Sequence, residues 1–212
     1  MNIENVSKIL GELGFGYFAV RGLTQSELIN VLNIQKPKSV DYKTAFKYIF
    51  SGIDNHRFDI EADFIDFKIQ VSCVFNDWIY LKCNYFDKEY IINKLNTLNT
   101  KEANYYYVDS CVDGCEWVIS ENRKTIRVFD YSMSEIQKNE GVPISSLEQK
   151  FIKQIENNSS QTEFIEYVCT SIIQNTGNHY ENLKNYKEKI SDFIIGYIRA
   201  KNEYKTICQQ RV

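Results

Sequence analysis

Proline and histidine are nearly missing from this chain: two of each among 212 residues. Few prolines mean few rigid breaks between elements. The two histidines, His56 and His179, are the whole supply for a Ser-His-Asp or Cys-His catalytic site. Each lies in a polar stretch, at a turn and at an expected helix start, and each reads as a surface residue. The nucleophile elbow Gly-x-Ser-x-Gly is absent, as are a phosphate loop ending in Gly-Lys-Ser/Thr and the fingerprint Gly-x-Gly-x-x-Gly. Gly14-Phe15-Gly16 precedes an expected strand, whereas a dinucleotide loop follows one. No cofactor and no enzymatic activity are expected from these absences.

Long apolar runs are also lacking. The start, Met1 to Leu10, has no basic segment followed by an apolar stretch, so it does not read as a signal peptide. No run approaches the roughly 18 apolar residues of a membrane span. A cytoplasmic location with no membrane partner is therefore expected. The net charge of −3 supplies no overall basic field, so nucleic acid is not an expected partner.

What the chain does have is core material. Hydrophobic residues make up 43% and charged residues 25%, close to the globular average. A chain of this size buries roughly 70% of the surface its unfolded form exposes. Tyrosine (15) and phenylalanine (13) are abundant, which favours strands and interfaces. The six cysteines are Cys73, Cys83, Cys111, Cys115, Cys169 and Cys208, and free thiols are expected in a reducing cytosol. Cys73, Cys83 and Cys169 stand among apolar neighbours, like small core residues.

Periodicity orders the chain. Helical spacing marks residues 3–13, and an apolar strand covers 15–22. Thr24 and Glu27 form a capping box for the next helix. Lys36-Pro37-Lys38 reads as a loop, and Asp41 as the cap of a second helix. Residues 57–64 alternate strictly between apolar and polar. The parity then flips, which calls for a turn or bulge near Ile65-Asp66 before Phe67, Ile69 and Val71. Further strands are expected at 77–86, 104–109, 115–120 and 124–130, with a helix at 88–98. Glu121-Asn122-Arg123 reads as a hairpin turn. Ser145 or Ser146 caps a helix, and another covers about 161–174.

The most regular pattern comes last. Leu183, Tyr186, Ile190, Phe193, Tyr197, Ala200, Tyr204 and Ile207 alternate spacings of three and four, as on one face of a long helix. Such a helix packs on its own domain or joins two copies as a homodimer through 183–207. The expected fold is α+β: a mostly antiparallel sheet of about six strands flanked by helices, with a helical C-terminal region. Residues 1–144 would form the sheet domain, and 145–212 the helical region packed on it.

Three constellations could carry function. Cys111-Val112-Asp113-Gly114-Cys115 has metal-like spacing but no second ligand pair, and Asp-Gly marks a hairpin turn. No metal is expected there. Asp59, Glu61 and Asp63 form an acidic row along one strand, with Asp66 nearby. A metal site would need ligands converging from separate elements. The alternatives are a solvated face or an acidic docking surface for a basic protein, since like charges speed encounter with an opposite field. The run Tyr105-Tyr106-Tyr107 places Tyr106 opposite to its neighbours, as a candidate interface anchor. Trp78 and Trp117 read as sheet-core residues.

Two stretches resemble a known kind of protein. Tyr17 to Thr24, followed by Glu27-Leu28 and Leu32, is similar to the opening of small bacterial proteins. The stretch from Tyr105 to Ile144 contains Trp117, Arg123-Lys124, Ile126-Arg127-Val128-Phe129, Glu135 and Glu140-Gly141-Val142-Pro143-Ile144. It resembles the hairpin and tail of immunity proteins, which protect bacteria from toxins delivered by contact-dependent or type VI secretion systems. That resemblance implies an α+β fold and a cytosolic inhibitor that binds and neutralises a cognate toxin, with no catalytic residue to carry over. Asp59, Glu61, Asp63, Asp66 and Tyr106 are the expected contacts with this protein partner. An inhibitor of a defence system, and an enzyme with a carboxylate or metal site, are the alternatives.

Overall fold

Side-chain alternation in the first strand sets the architecture. In β1 (Gly16–Arg21), Tyr17 and Ala19 join one buried cluster while Phe18 and Val20 join another. Successive strand residues point to opposite faces, so both faces of β1 are covered. The structure, a computed structural model, describes residues 16–50, 64–74, 77–83, 88–109, 114–157 and 192–201.

The other described elements follow in order: α1 (Gln25–Val31), β2 (Gln35–Val40), α2 (Tyr42–Phe50), β3 (Phe64–Val71), β4 (Trp78–Cys83), α3 (Lys88–Asn96), β5 (Glu102–Asp109), β6 (Gly114–Glu121), β7 (Lys124–Ser132), β8 (Glu135–Gly141), α4 (Ser146–Glu156) and β9 (Phe193–Lys201). The strands form one nine-stranded sheet in the order β2-β9-β3-β4-β1-β5-β6-β7-β8. Every pairing is antiparallel.

One face is aromatic. Tyr17, Trp78, Tyr80, Tyr106, Trp117, Phe129, Tyr131 and Phe193 pack there with Ala45 of α2 and with Phe151 and Ile152 of α4. We call it the tryptophan face. The other is aliphatic, built from Ile69, Val71, Ile79, Leu81, Val118 and Val128 with Leu28 of α1 and Ile91, Ile92 and Leu95 of α3. Helix starts follow their caps. The Thr24 hydroxyl accepts from Glu27 N–H while Glu27 accepts from Thr24 N–H, the expected capping box. Asp41 Oδ1 accepts from Thr44 N–H at 2.8 Å, and the Ser145 hydroxyl accepts from Glu148 N–H at 3.1 Å.

Several expectations are overturned. The sheet has nine strands, not about six. The C-terminal region is not helical over Phe193–Lys201: this segment is β9, inserted between β2 and β3. A homodimer through a helix at 183–207 therefore loses its basis there. The run Phe193 to Ile198 is nearly continuous in apolar residues, which suits a strand covered on both faces as well as it suits a helix. β9 belongs to the region 145–212 yet pairs with two strands of 1–144, so the regions share one sheet.

The expected loop Lys36-Pro37-Lys38 is edge strand β2, and an edge tolerates Pro37 because no outer neighbour needs its missing N–H. β8, Glu-Ile-Gln-Lys-Asn-Glu-Gly, is the opposite edge, and its polar residues left no apolar alternation to read. Finally, β3 pairs with β9 without a shift from Phe64 to Val71, so no bulge stands at Ile65-Asp66. The expected elements at 3–13 and 161–174, and the strand at 57–64 except Phe64, lie outside the described residues.

Two glycines are required by geometry. Gly141, at the end of β8, has φ +81°, and a Cβ there would stand 2.0 Å from the Ile126 carbonyl oxygen. Gly196 lets β9 close on β2: a Cβ would meet Ile34 Cγ2 at 2.5 Å and the Gln35 carbonyl at 2.7 Å. The hairpin between β6 and β7 turns on Asn122 and Arg123 with φ of 48° and 70°, as a two-residue loop requires.

Candidate functional site

The expected contact residues separate in space. Asp59, Glu61 and Asp63 lie outside the described residues. Asp66 sits in β3 directly opposite Arg199 of β9. Arg199 donates from Nε to Oδ1 at 2.8 Å and from a terminal nitrogen to Oδ2 at 3.0 Å. This fork holds the Asp66 carboxyl below its usual range, and Lys36 adds to the effect. Asp66 is exposed, but its oxygens already serve an internal pair. Tyr106 is 1% exposed, with its ring centroid 5.5 Å from that of Tyr17. It cannot touch a partner: the sheet is covered on both faces, so whichever way a tyrosine of β5 points near the middle, it meets core.

The end of the sheet at β2, β9 and β3 has a different character. Residues directly opposite across an antiparallel pair share a face. Lys38 faces Ile195, which faces Gln70; Gln35 faces Tyr197, which faces Lys68; Arg199 faces Asp66. These rows lie on the tryptophan face beyond its buried cluster. Lys36 reaches over the Tyr197 ring at 5.9 Å, and the Arg199 guanidinium stands 5.9 Å from the same ring. Lys68 stands 5.1 Å from the centroid of Tyr48, whose hydroxyl donates to the Gly196 carbonyl at 2.7 Å. Cation–π contacts of this kind hold both rings and cations in place. Lys36, Lys38 and Arg199 are exposed, and Lys68 is half-buried. Among the described residues, Asp66 is the one carboxylate in these rows.

At the other end, α4 is bolted to the sheet. Glu148 is 0% exposed. Its Oε1 accepts from Trp117 Nε1 at 2.9 Å and from Arg127 Nε at 2.8 Å, while an Arg127 terminal nitrogen lies 2.6 Å from the same oxygen. Its Oε2 accepts from the Ile144 N–H at 2.5 Å. Arg127 also donates to the carbonyls of Glu140 at 2.7 Å and Val128 at 3.1 Å. Trp117 stacks on Phe129 at 4.5 Å, and Phe129 and Tyr131 flank Phe151 of α4. A buried pair with this many hydrogen bonds answers its own desolvation cost. Glu148 escaped the sequence reading because its partners stand 21 and 31 residues away.

The aliphatic face carries one charged row where α3 begins. Glu116 faces Asp130, which faces Lys138. Lys88 pairs with Glu116, and Glu89 lies 3.5 Å from Lys138. Burial raises the Glu116 pKa, with Lys88 opposing and Asp130 adding to the rise. Two neighbouring carboxylates resemble an acid–base pair. However, each cation of the row is already matched to a carboxylate, which is what a structural ion network does. On the tryptophan face Lys82 is 6% exposed and faces Gln70, and burial lowers its pKa to about 7.

Cys73 and Cys83 are free thiols, and burial raises the pKa of each. Cys115 is disulfide-bonded, against the expectation of free thiols. Cys111 lies outside the described residues. Among the described residues no group of three or more His, Cys, Asp or Glu is placed to hold a metal ion. No described helix is long and apolar enough to cross a membrane.

No family description matches the chain, and no solved structure matches it. Delta-latroinsectotoxin-Lt1a of Latrodectus tredecimguttatus is 22% identical over 135 residues, which is 63% of this chain. The chain spans 11% of that protein's length. A similarity this low and this partial assigns no family.

Proposed function

We propose that the protein is a cytosolic inhibitor of the immunity type, which binds and neutralises a cognate antibacterial toxin. One observation carries the proposal. The two stretches that resemble immunity proteins are separated by residues 33–104 in sequence, yet they fall on adjoining strands: β1 pairs with β5, and β6, β7 and β8 follow in order. Their defining residues are structural. Trp117 and Arg127 meet Glu148, Gly141 makes the close approach to Ile126, and Ile144 delivers its N–H to the same carboxylate. The likeness thus covers one contiguous scaffold, as expected of proteins that share a fold and bind different partners.

In this proposal Asp59, Glu61 and Asp63 belong to the partner contact. Asp66 acts there only through Arg199, and Tyr106 supports the sheet from within. The test is co-expression with the toxin encoded beside its gene. Restored growth and a stoichiometric complex are the expected results, with both lost when Asp59, Glu61 and Asp63 are changed to lysine. Growth arrest unrelieved by the protein would remove the proposal. Cytosolic placement has its own test, because a disulfide such as that at Cys115 is uncommon in a reducing compartment. Thiol titration of protein drawn directly from the cytosol decides it: a reactive Cys115 thiol supports cytosolic placement, and a retained disulfide would place the protein elsewhere.

A further inference from the structure

We infer that the tip of the β7–β8 hairpin, Met133-Ser134, is an apolar contact that enters a hydrophobic pocket on the protein partner; the inference rests on the inhibitor reading and names one of its contact points. The two residues between β7 and β8 have φ of 52° and 65°. A two-residue loop of this kind needs left-handed backbone at both positions, and Asn-Gly meets that need with least strain. Methionine and serine carry side chains that disfavour it. The neighbouring hairpin shows the ordinary solution. Its turn uses Asn122, a residue tolerant of this conformation, and Arg123, whose Nε donates to the Asn96 carbonyl at 3.3 Å. Met133 is 82% exposed, the most exposed of the large apolar side chains described, so it packs on almost nothing. The sequence accepts strain at this turn and holds a large apolar group in water. Strain kept in this way marks a site whose use lies outside the fold's own stability.

The tip stands at the end of the sheet that the inhibitor proposal already uses. Antiparallel register carried from β3 through β4, β1, β5 and β6 to β7 puts the start of β3 and the end of β7 at one end of the sheet. Phe64 begins β3 there and is 59% exposed. The acidic row proposed for the partner contact ends at Asp63, the residue before it. The surroundings also choose the partner's chemistry. Methionine is unbranched and polarizable, so it fits pockets of irregular shape. Glu135 stands exposed beside the tip and the chain is net negative, so an anionic bilayer would repel it. Stacking on nucleic acid needs cations beside an aromatic ring, and Met133-Ser134 supplies neither. A pocket on a protein is the surface that fits.

The experiment measures thermal unfolding of the full chain and its affinity for the toxin encoded beside its gene, in the parent and two variants. Met133→Asn with Ser134→Gly relaxes the turn and removes the apolar group. It should raise the unfolding midpoint by about 2–4 °C, as expected for a chain of this size relieved of one strained turn. It should also weaken toxin binding about ten- to hundredfold, the scale of one buried methionine. Met133→Leu keeps an apolar tip and should bind nearly as well as the parent. A midpoint that does not rise would remove the strain on which the inference stands. Unchanged toxin binding in the Asn-Gly variant would overturn the contact and leave the inhibitor proposal intact. Failure of the parent itself to bind would remove the inhibitor proposal and the contact with it. Self-association of the parent, abolished in the Asn-Gly variant, would make a second copy the occupant and overturn the inference as well.

Discussion

At one end of the sheet, β5 to β8 hold stacked rings and a fully buried ion pair beneath α4. At the other, β2, β9 and β3 hold exposed cations against half-buried tyrosines. Both ends use arginine beside a carboxylate and an aromatic ring. Arg127, with Glu148 and Phe129, is shut away from water, so every polar atom of the pair needs an internal partner and its loss is costly. Arg199, with Asp66 and Tyr197, stands in water, where the pair adds little stability. The same residue types contribute much or little to stability according to their burial.

The largest expected effect breaks the buried pair. Arg127→Leu should leave the Glu148 carboxylate without its cation and lower stability by about 3–5 kcal/mol in urea unfolding. Replacing both, with Arg127→Met and Glu148→Leu, should recover much of that loss. A single change costing no more than an exposed pair would show the clamp to be unimportant.

Lys82 comes next. Its folded-state pKa of about 7 is depressed from 10.5, so its contribution to stability is complete above pH 10.5 and is lost as pH falls towards 7. Stability should therefore rise with pH across that window. Lys82→Met should flatten the rise and stabilise the protein at neutral pH by on the order of a few kcal/mol. A variant less stable than the parent at pH 7 would contradict this. Gly141→Ala should then cost about 1–3 kcal/mol through backbone strain and the collision with Ile126. Thermal unfolding at matched pH measures it.

These positions also show what the sequence could and could not tell. Trp78 and Trp117 were readable as core, and Thr24, Asp41 and Ser145 as caps, because their signals are local. β9 was not readable. Its strand pairing depends on β2 and β3, more than a hundred residues earlier, and its apolar run satisfies a helix stripe and a buried strand equally. Misplacing β9 hid the Asp66–Arg199 pair as well, since the two meet only after that strand is inserted. The acidic row pointed to one charge, while the described rows beside Asp66 carry mostly the opposite one. Tyr106 failed as an anchor for a related reason: a second covered face cannot be seen in a single strand.

The smallest effect sharpens the contrast at the exposed end. Asp66→Asn removes the one carboxylate from the described rows there. It should leave the urea midpoint unchanged, because an exposed pair contributes little. A shift as large as that of Arg127→Leu would contradict the contrast.

The most direct test measures stability and toxin binding together in two folded variants. One carries Met133→Asn and Ser134→Gly; the other carries Arg127→Met and Glu148→Leu. The first should gain stability and lose toxin binding, and the second should keep its binding with a shifted midpoint. Loss of binding in the second variant but not in the first would contradict the division between a buried clamp that sets stability and an exposed tip that sets binding.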